Sequence, residues 1–563
     1  MSKKLNDILG LVLGLVLILL LNIAGGYFFE RLDLTSDKRY SLSEVSEQQA
    51  SELEDVIFVR VYLEGDLPAD YKMLRDATKE LLDEFRAYAG DNIQYEFIDP
   101  SAGINEKERE KVYQKLFKEG LQPTTLRKQS VEEASEKIIF AGAVVTYRGK
   151  TLPWQILKSQ IGVPEAVMIN NSVQQLEYEF ASLIKNLTNV SKKQIAFIHG
   201  HGEYDELHVA DFEKSIGEFY GVSHVTLDGQ LNALKLFHAI IVAGPDSSIN
   251  EKDKFIIDQF VMRGGKVVWL YEPVIASMDS LKGANTTMSI PRDLNLDDLF
   301  FKYGIRVNRD LIMDIQSLPL PIVTGQIGDA PRQEFFPWPY FPMVMTKAKN
   351  PIVKNLDAIA VHFASSIDYV GKNDDLKKTT LLASSNYSKL VSTPARISFN
   401  VLRNKPDKRQ YNNGPQKIGV LVEGVFKSNF TNRIPTRLLN DPSIAFKEMS
   451  TPTQQIFLSD ADIIKNEINE ERGEFFVLGY DKYTRRIYAN KDFLLNCMNY
   501  LLDDSGLLEV RAKEFKIRLL DRTRTVKEKS KWQMVNLVIP VSVIALFGVL
   551  VFFLRKKIYG SKG

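Results

Sequence analysis

The residues with the most chemical potential in this chain are crowded into one loop. His199-Gly200-His201-Gly202-Glu203 is followed closely by Asp205 and His208. Imidazoles and carboxylates are the ligands of zinc and related transition metals. The spacing matches no established metal motif, and HExxH is absent. Two uses therefore stand open. The loop binds something through His199, Gly200, His201, Gly202 and Glu203, or its polar side chains simply hold neighbouring backbone. No catalytic residue, metal or cofactor is expected.

The elements around the loop would position it. Ile195 to Ile198 is a short buried-strand run, the glycines allow a sharp turn, and an acidic amphipathic segment follows. In open α/β sheets ligands bind at the carboxyl ends of strands. Ala239 to Gly244, a helix from Ile249 to about Met262, Gly264-Gly265 and a strand from Lys266 to Tyr271 read as a βαβ crossover, so this sheet should be parallel. A helix at Asp297 to Tyr303, strands at Ile418 to Phe426 and Glu474 to Gly479, and a helix at Asp492 to Leu502 complete the pattern. In that last helix Phe493, Leu494, Cys497, Met498 and Leu501 should face inward.

Upstream, strands are expected at Val56 to Leu63, Ile93 to Ile98 and Lys137 to Tyr147. Between the first two lies a helix capped by Asp70, with Leu74, Ala77, Leu81, Phe85 and Tyr88 on one face. Glu106 to Glu119 forms a second helix. This alternation is a small α/β unit of thioredoxin-like order without cysteine. Ser172 to Gln175 reads as a capping box opening a helix whose Val173, Leu176, Phe180, Leu183, Ile184 and Leu187 share a face. Leu318 to Pro342 is rich in proline and aromatic residues and reads as neither strand nor helix. It is either a loop packed over the sheet or an exposed contact surface through Phe336, Trp338 and Tyr340. Lys405 to Gln416 reads as a polar excursion.

The chain has 563 residues, enough for two or three domains, and a net charge of +1, which implies no attraction to nucleic acid. A single cysteine, Cys497, excludes an intramolecular disulfide and a CxxC pair. No P-loop and no GxSxG elbow occur. Both ends are hydrophobic. Ile8 to Ala24, extended by Gly25 to Phe29, reads as an uncleaved anchor, with a signal peptide as the competing reading. Val535 to Leu554, stopped by Arg555-Lys-Lys557, reads as a second span. Flanking positive charges are balanced, so composition leaves the orientation open.

Several stretches in order carry a family resemblance: the N-terminal anchor, Tyr40-Ser-Leu-Ser43, Phe97-Ile-Asp-Pro100, Ile198-His-Gly-His-Gly-Glu203, Gly264-Gly-Lys-Val-Val-Trp-Leu270, Leu421-Val-Glu-Gly424, Asn490-Lys-Asp-Phe-Leu-Leu-Asn496 and the C-terminal span. Over nearly its whole length the chain resembles the gliding-motility-associated ABC transporter accessory proteins of the GldG family. The resemblance implies an α/β fold: a thioredoxin-like domain, then a glutamine-amidotransferase-like, flavodoxin-like domain with a mostly parallel sheet, flanked by two transmembrane helices. It divides the chain into an anchor (1–30), a thioredoxin-like domain (31–155), a linker helix (156–190), an amidotransferase-like domain (191–510) with an insertion at 318–342, a basic juxtamembrane segment (511–531), and a span with a basic tail (532–563). It places two spans in the bacterial inner membrane, both termini in the cytoplasm and the large body in the periplasm. The implied partners are an ABC-type permease, a separate cytoplasmic ATPase and other periplasmic motility components. In active amidotransferases a nucleophilic cysteine follows a central strand; here the matching turn reads Glu272-Pro273, so that chemistry is expected to be absent. A periplasmic ligand-binding receptor, or a metal-dependent hydrolase using His199 to Glu203, remains the alternative.

Overall fold

The computed structural model describes residues 10–20, 41–102, 105–129, 134–158, 164–188, 192–281, 286–327, 330–346, 350–371, 375–403, 405–434, 445–469, 471, 473–503, 506–507 and 522–559. The chain is mixed α/β and divides into a body, Ser41–Lys513, and a unit made of the two chain ends, Met1–Tyr40 and Glu514–Gly563.

The end unit contains two apolar helices. α1 (Gly10–Leu20) is short, and α10 (Arg522–Tyr559) carries a stretch, Glu528–Lys557, long and apolar enough to cross a membrane, with none of it buried. The remainder of the expected N-terminal anchor, Tyr40 of the Tyr-Ser-Leu-Ser stretch, and residues 511–521 of the basic segment lie outside the described residues.

The body begins with α2 (Glu44–Ser51), capped by the Ser43 hydroxyl. β1 (Ile57–Val61), α3 (Ala69–Ala89), β2 (Ile93–Phe97), α4 (Glu106–Lys118), the hairpin β3 (Thr124–Gln129) and β4 (Ala134–Ile139), β5 (Gly142–Tyr147) and β6 (Lys150–Gln155) follow, then α5 (Glu165–Thr188). The first sheet has the order β2-β1-β5-β6, with β1 and β2 parallel and the other pairs antiparallel. Alternation along β1 turns Ile57, Val59 and Val61 toward α3 and α5, where Leu74, Leu82, Phe85, Leu176 and Phe180 complete the core. Leu116 of α4 packs on the opposite face with Phe140 and Val144.

Two expectations about helix starts fail here. Pro68, not Asp70, precedes the first turn of α3, and Asp70 lies within that turn. Ser172 lies inside α5; its hydroxyl donates to the Met168 carbonyl one turn back and accepts from Lys158 N. A Ser-x-x-Gln spacing is also what a helix interior presents when serine bonds backward along the helix.

The second sheet has seven strands in the order β19-β22-β23-β10-β9-β7-β8. β7 (Gln194–His199), β8 (Gly221–Thr226), β9 (Ala239–Ala243), β10 (Lys266–Leu270) and β23 (Thr453–Leu458) are parallel, whereas β22 (Lys417–Gly424) runs antiparallel to β23, and β19 (Leu376–Ala383) antiparallel to β22. The crossovers are α6 (Glu206–Gly217) and α7 (Glu251–Met262). Ile195 and Phe197 face α6 and α9 (Asn490–Leu502); Ala196 and Ile198 face α7 and α8 (Asp297–Lys302). Burial on both faces explains why the parallel strands read as continuous apolar runs. The inward residues expected on α9 are all buried, Cys497 among them. The strand expected at Glu474 to Gly479 is reduced to Glu474–Phe475.

Between β10 and β22 the chain builds a β-rich layer from short pairs: β11 (Val274–Ile275) with β12 (Thr286–Pro291) and β21 (Ala395–Ser398), β13 (Ile305–Val307) with β18 (Ile367–Tyr369), and β14 (Asp310–Asp314) with β20 (Ser388–Ser392). Its longest feature overturns an expectation. The proline-aromatic run forms two long antiparallel strands, β15 (Ser317–Ile327) and β16 (Ala330–Val344), with β17 (Ile359–Ala360) beyond. Pro319 pairs with Pro337 and Pro321 with Phe335. A Pro–Pro pair cannot exchange hydrogen bonds, so those positions turn their missing N–H groups to the outer edges, where proline is tolerated. Prolines spaced by two along an edge are therefore compatible with a strand. Tyr411, in the segment read as a polar excursion, is buried in the same layer.

Candidate functional site

The loop after β7 folds as the sequence suggests, but its two histidines part company. Gly200 and Gly202 take positive φ values of 121° and 75°, and a Cβ on Gly202 would run into the Asp246 carboxylate. His201 O accepts from Asp246 N and Ser247 N, which ties this loop to the one after β9. The His201 ring is buried between two carboxylates: Nδ1 lies 3.1 Å from Glu203 Oε1 and Nε2 lies 3.1 Å from Asp253 Oδ2 on α7. Glu203 Oε2 also accepts from His201 N at 2.7 Å. Burial opposes a charge on the ring, but the hydrogen bonds and charges of Glu203 and Asp253 outweigh it and raise the pKa above 6.5. His201 is thus a clamp with both ring nitrogens engaged by carboxylates.

His199 points elsewhere. Its Nε2 lies 2.7 Å from Nδ1 of His224 on β8, and the two rings stack. His224 Nε2 in turn lies 3.1 Å from Glu213 Oε1 on α6. Burial, and then the proximity of His224, lower the His199 pKa. Asp205 caps α6 by accepting from His208 N, and the His208 ring returns to the same carboxylate at 2.7 Å. Among the described residues, His199, His201 and Glu203 are not brought together as a three-residue ligand set.

The residues that do converge lie on the same carboxyl edge, two and three strands further in. β10 ends and the chain turns through Glu272; β23 ends and turns through Asp460 and Asp462. Side-chain oxygens of these three residues lie within 4.8 Å of one another. The turns are set by the ladder below them, where Tyr271 N bonds Leu458 O and Gly244 N bonds Leu270 O. Tyr204, whose N bonds Ala243 O, reaches over Gly244 and donates its hydroxyl to Asp462 Oδ1 at 2.9 Å. Gly244 has φ 63°, and a Cβ there would press on the Tyr204 ring at 3.0 Å and on Ala461 at 3.1 Å. Lys465 Nζ lies 3.5 Å from Asp462 Oδ1, and His362 Nδ1 lies 3.7 Å from its Oδ2. Asp460 is fully buried; its oxygens accept from His362 N at 2.7 Å and Asp462 N at 2.8 Å.

These environments split the three carboxyls. Burial opposes ionisation of Asp462, but His362, Lys465 and the Tyr204 hydroxyl hold its pKa below the usual carboxylate range. Burial, then the charges of Asp462 and Glu272, push Asp460 well up. Burial and the Asp462 charge push Glu272 up to about 7. Both Asp460 oxygens already carry N–H donors and Asp462 already faces a lysine, so the donor set suits a shared proton better than a cation cage.

Of these groups only Glu272 stood out in the sequence, and only as the residue where a nucleophile is missing. Asp460 and Asp462 follow the short apolar run Ile456-Phe-Leu458; that run followed by Ser-Asp-Ala-Asp is itself a strand-and-turn signal. Tyr204, His362 and Lys465 have no local signature. The expected contact residues also separate: Trp338 is 0% exposed and Tyr340 is buried, so neither ring can meet a partner, whereas Phe336 is half-buried.

The fold and site define a mixed α/β body with a polar cluster at the carboxyl edge of a mostly parallel sheet. The family described as an ABC-type uncharacterized transport system matches residues 192–497, more than half of the chain, and this chain belongs to it. A domain of unknown function matches residues 36–146. An uncharacterized protein of Borreliella burgdorferi is 23% identical over 572 residues, covering 99% of each chain. Two solved structures align weakly. The mmIFT52 N-terminal domain is 11% identical with a TM-score of 0.31, covering 55% of this chain and 97% of its own. A thua-like protein of Parabacteroides merdae is 10% identical with a TM-score of 0.27, covering 55% and 89%.

Proposed function

We propose that this chain is a non-catalytic, membrane-anchored accessory subunit of an ABC-type transporter, of the kind linked to bacterial gliding motility. The family match over residues 192–497 carries the reading. Its body stands in the periplasm on the N- and C-terminal helices, both termini are cytoplasmic, and it works with a permease and a separate ATPase. The apolar stretch Glu528–Lys557 supports the anchoring. The order β2-β1-β5-β6 supports a thioredoxin-like first domain, and five parallel strands with helices on both faces support an amidotransferase-like second domain. Cys497 lies buried on α9, where burial pushes its thiol well up, which favours a structural thiol over a nucleophile.

Affinity purification of the full chain from membranes in mild detergent tests this. A stoichiometric polytopic permease and an ATPase are expected in the eluate. A well-folded chain that purifies alone would overturn the reading. The second reading, a ligand-binding receptor, is favoured by the convergence of Tyr204, Glu272, His362, Asp462 and Lys465 where α/β sheets bind ligands. Retained ligand in that purified chain would favour it over the first.

A further inference from the structure

We propose that the carboxyl edge of the seven-stranded sheet is a proton-operated latch: Glu272, Asp460 and Asp462 share one exchangeable proton, and its loss parts the turn after β10 from the turn after β23. The proposal stands on the cluster's geometry and does not depend on the accessory-subunit reading.

Three carboxylates at this spacing, one of them fully buried, repel strongly if all are charged. The groups facing them from each neighbouring element are few. The loop after β7 contributes the neutral Tyr204 hydroxyl. The segment after β17 contributes the His362 imidazole and its main-chain N–H. The turn after β23 contributes Lys465. Beyond β12, Arg292 lies near Glu272, and its Nη1 donates to Pro245 O at 3.3 Å. The Lys465 amine and the His362 ring both sit on Asp462, which therefore stays ionised. Glu272 has the nearby charges of Arg292 and Lys465, Asp460 accepts from main-chain N–H groups, and a proton makes up the balance.

The latch lies where the ladder stops. Tyr271 N to Leu458 O is the last main-chain bond between β10 and β23. Beyond it, the Glu272 carboxyl lies within 4.8 Å of the Asp460 and Asp462 carboxyls, so the two turns face each other through these groups. Burial and then the Asp462 charge push Glu272 up to about 7. Below pH 4.5, the ordinary value for a glutamate, both closed and open forms are protonated. From there to about 7 the closed form holds the extra proton, and rising pH favours opening.

Hydrogen exchange on the full-length chain in detergent reads this directly, in peptides covering residues 271–274 and 459–465. After correction for intrinsic rates, the closed-to-open ratio should fall about tenfold per pH unit through the window and level off above it. Glu272→Gln, which keeps the neutral form, should hold the turns closed with no pH dependence. The wild-type series decides the matter even if a variant does not fold. A flat wild-type profile, or an unchanged slope in Glu272→Gln, would overturn the latch. So would closure restored above neutral pH by magnesium, calcium or zinc ions and reversed by chelation, since the cluster would then hold a cation.

Discussion

His201 is the plainest case of a side chain whose chemistry is spent on structure. Both ring nitrogens are bound by carboxylates that are themselves buried, Glu203 at 1% and Asp253 at 4% side-chain exposure. His201→Ala should strand two buried carboxylates and cost about 3–5 kcal/mol, measured by denaturant titration. Because the folded pKa is raised, the contribution of His201 is complete below pH 6.5 and disappears as pH rises through the folded value. The pH dependence of stability above 6.5 should therefore be weaker in His201→Ala than in the wild type. Trp338 is also a core residue. Its ring lies against Tyr340 and Phe399 at centroid distances of 5.4 and 5.2 Å, so Trp338→Ala should lose about 3–5 kcal/mol. A thermal melt distinguishes this from the near-neutral result expected of a surface residue.

The hairpin of β15 and β16 is the element whose design departs furthest from ordinary strand composition. Its base is core, with Leu318, Leu320, Trp338 and Tyr340 buried, while Val323 at 59% and Phe335 at 54% exposure lie further out. An exposed apolar two-stranded arm invites pairing with other chains, and proline on its outer edges blocks that. Pro321→Val would place a free N–H on the outer edge. Stability should stay within about 0.5 kcal/mol of the wild type, while light scattering should detect concentration-dependent association. An unchanged association state would mean that proline has no edge-guarding role here.

At the scale of the whole molecule, the two main sheets of the body are linked through α5. α5 bridges them in sequence, and its Lys185 pairs with Asp503 just after α9. Leu42, at the start of the body, and Leu507, near its end, lie in the same core cluster, so the chain enters and leaves the body at one place. Deleting 522–563 should leave the melting curve of the body unchanged, because α10 is exposed throughout its apolar stretch, and should move the protein out of the membrane fraction only if α10 is the dominant anchor. A lost melting transition would show instead that the body needs α10 to fold.

Local pattern determined much of this protein. Apolar runs bounded by glycine on one side placed β7, β9 and β10, a 3.6-residue period placed α9 with Cys497 inward, and the charge-free C-terminal stretch placed α10, since each signal is contained in a few adjacent residues. Short or ambiguous signals failed: β23 offers only three consecutive apolar residues, and the prolines of β15 and β16 make sense only once the partner strand shows which edge is free. The site was the least legible part. His199 and His201 are neighbours in sequence and part in space, because one ring turns to β8 and the other to α7. Tyr204, Glu272, His362, Asp460 and Asp462 are scattered over more than half of the body and meet only because parallel strands deliver their carboxyl ends to one edge. Strand order is decided by long-range burial on both faces of the sheet, and no local spacing encodes it.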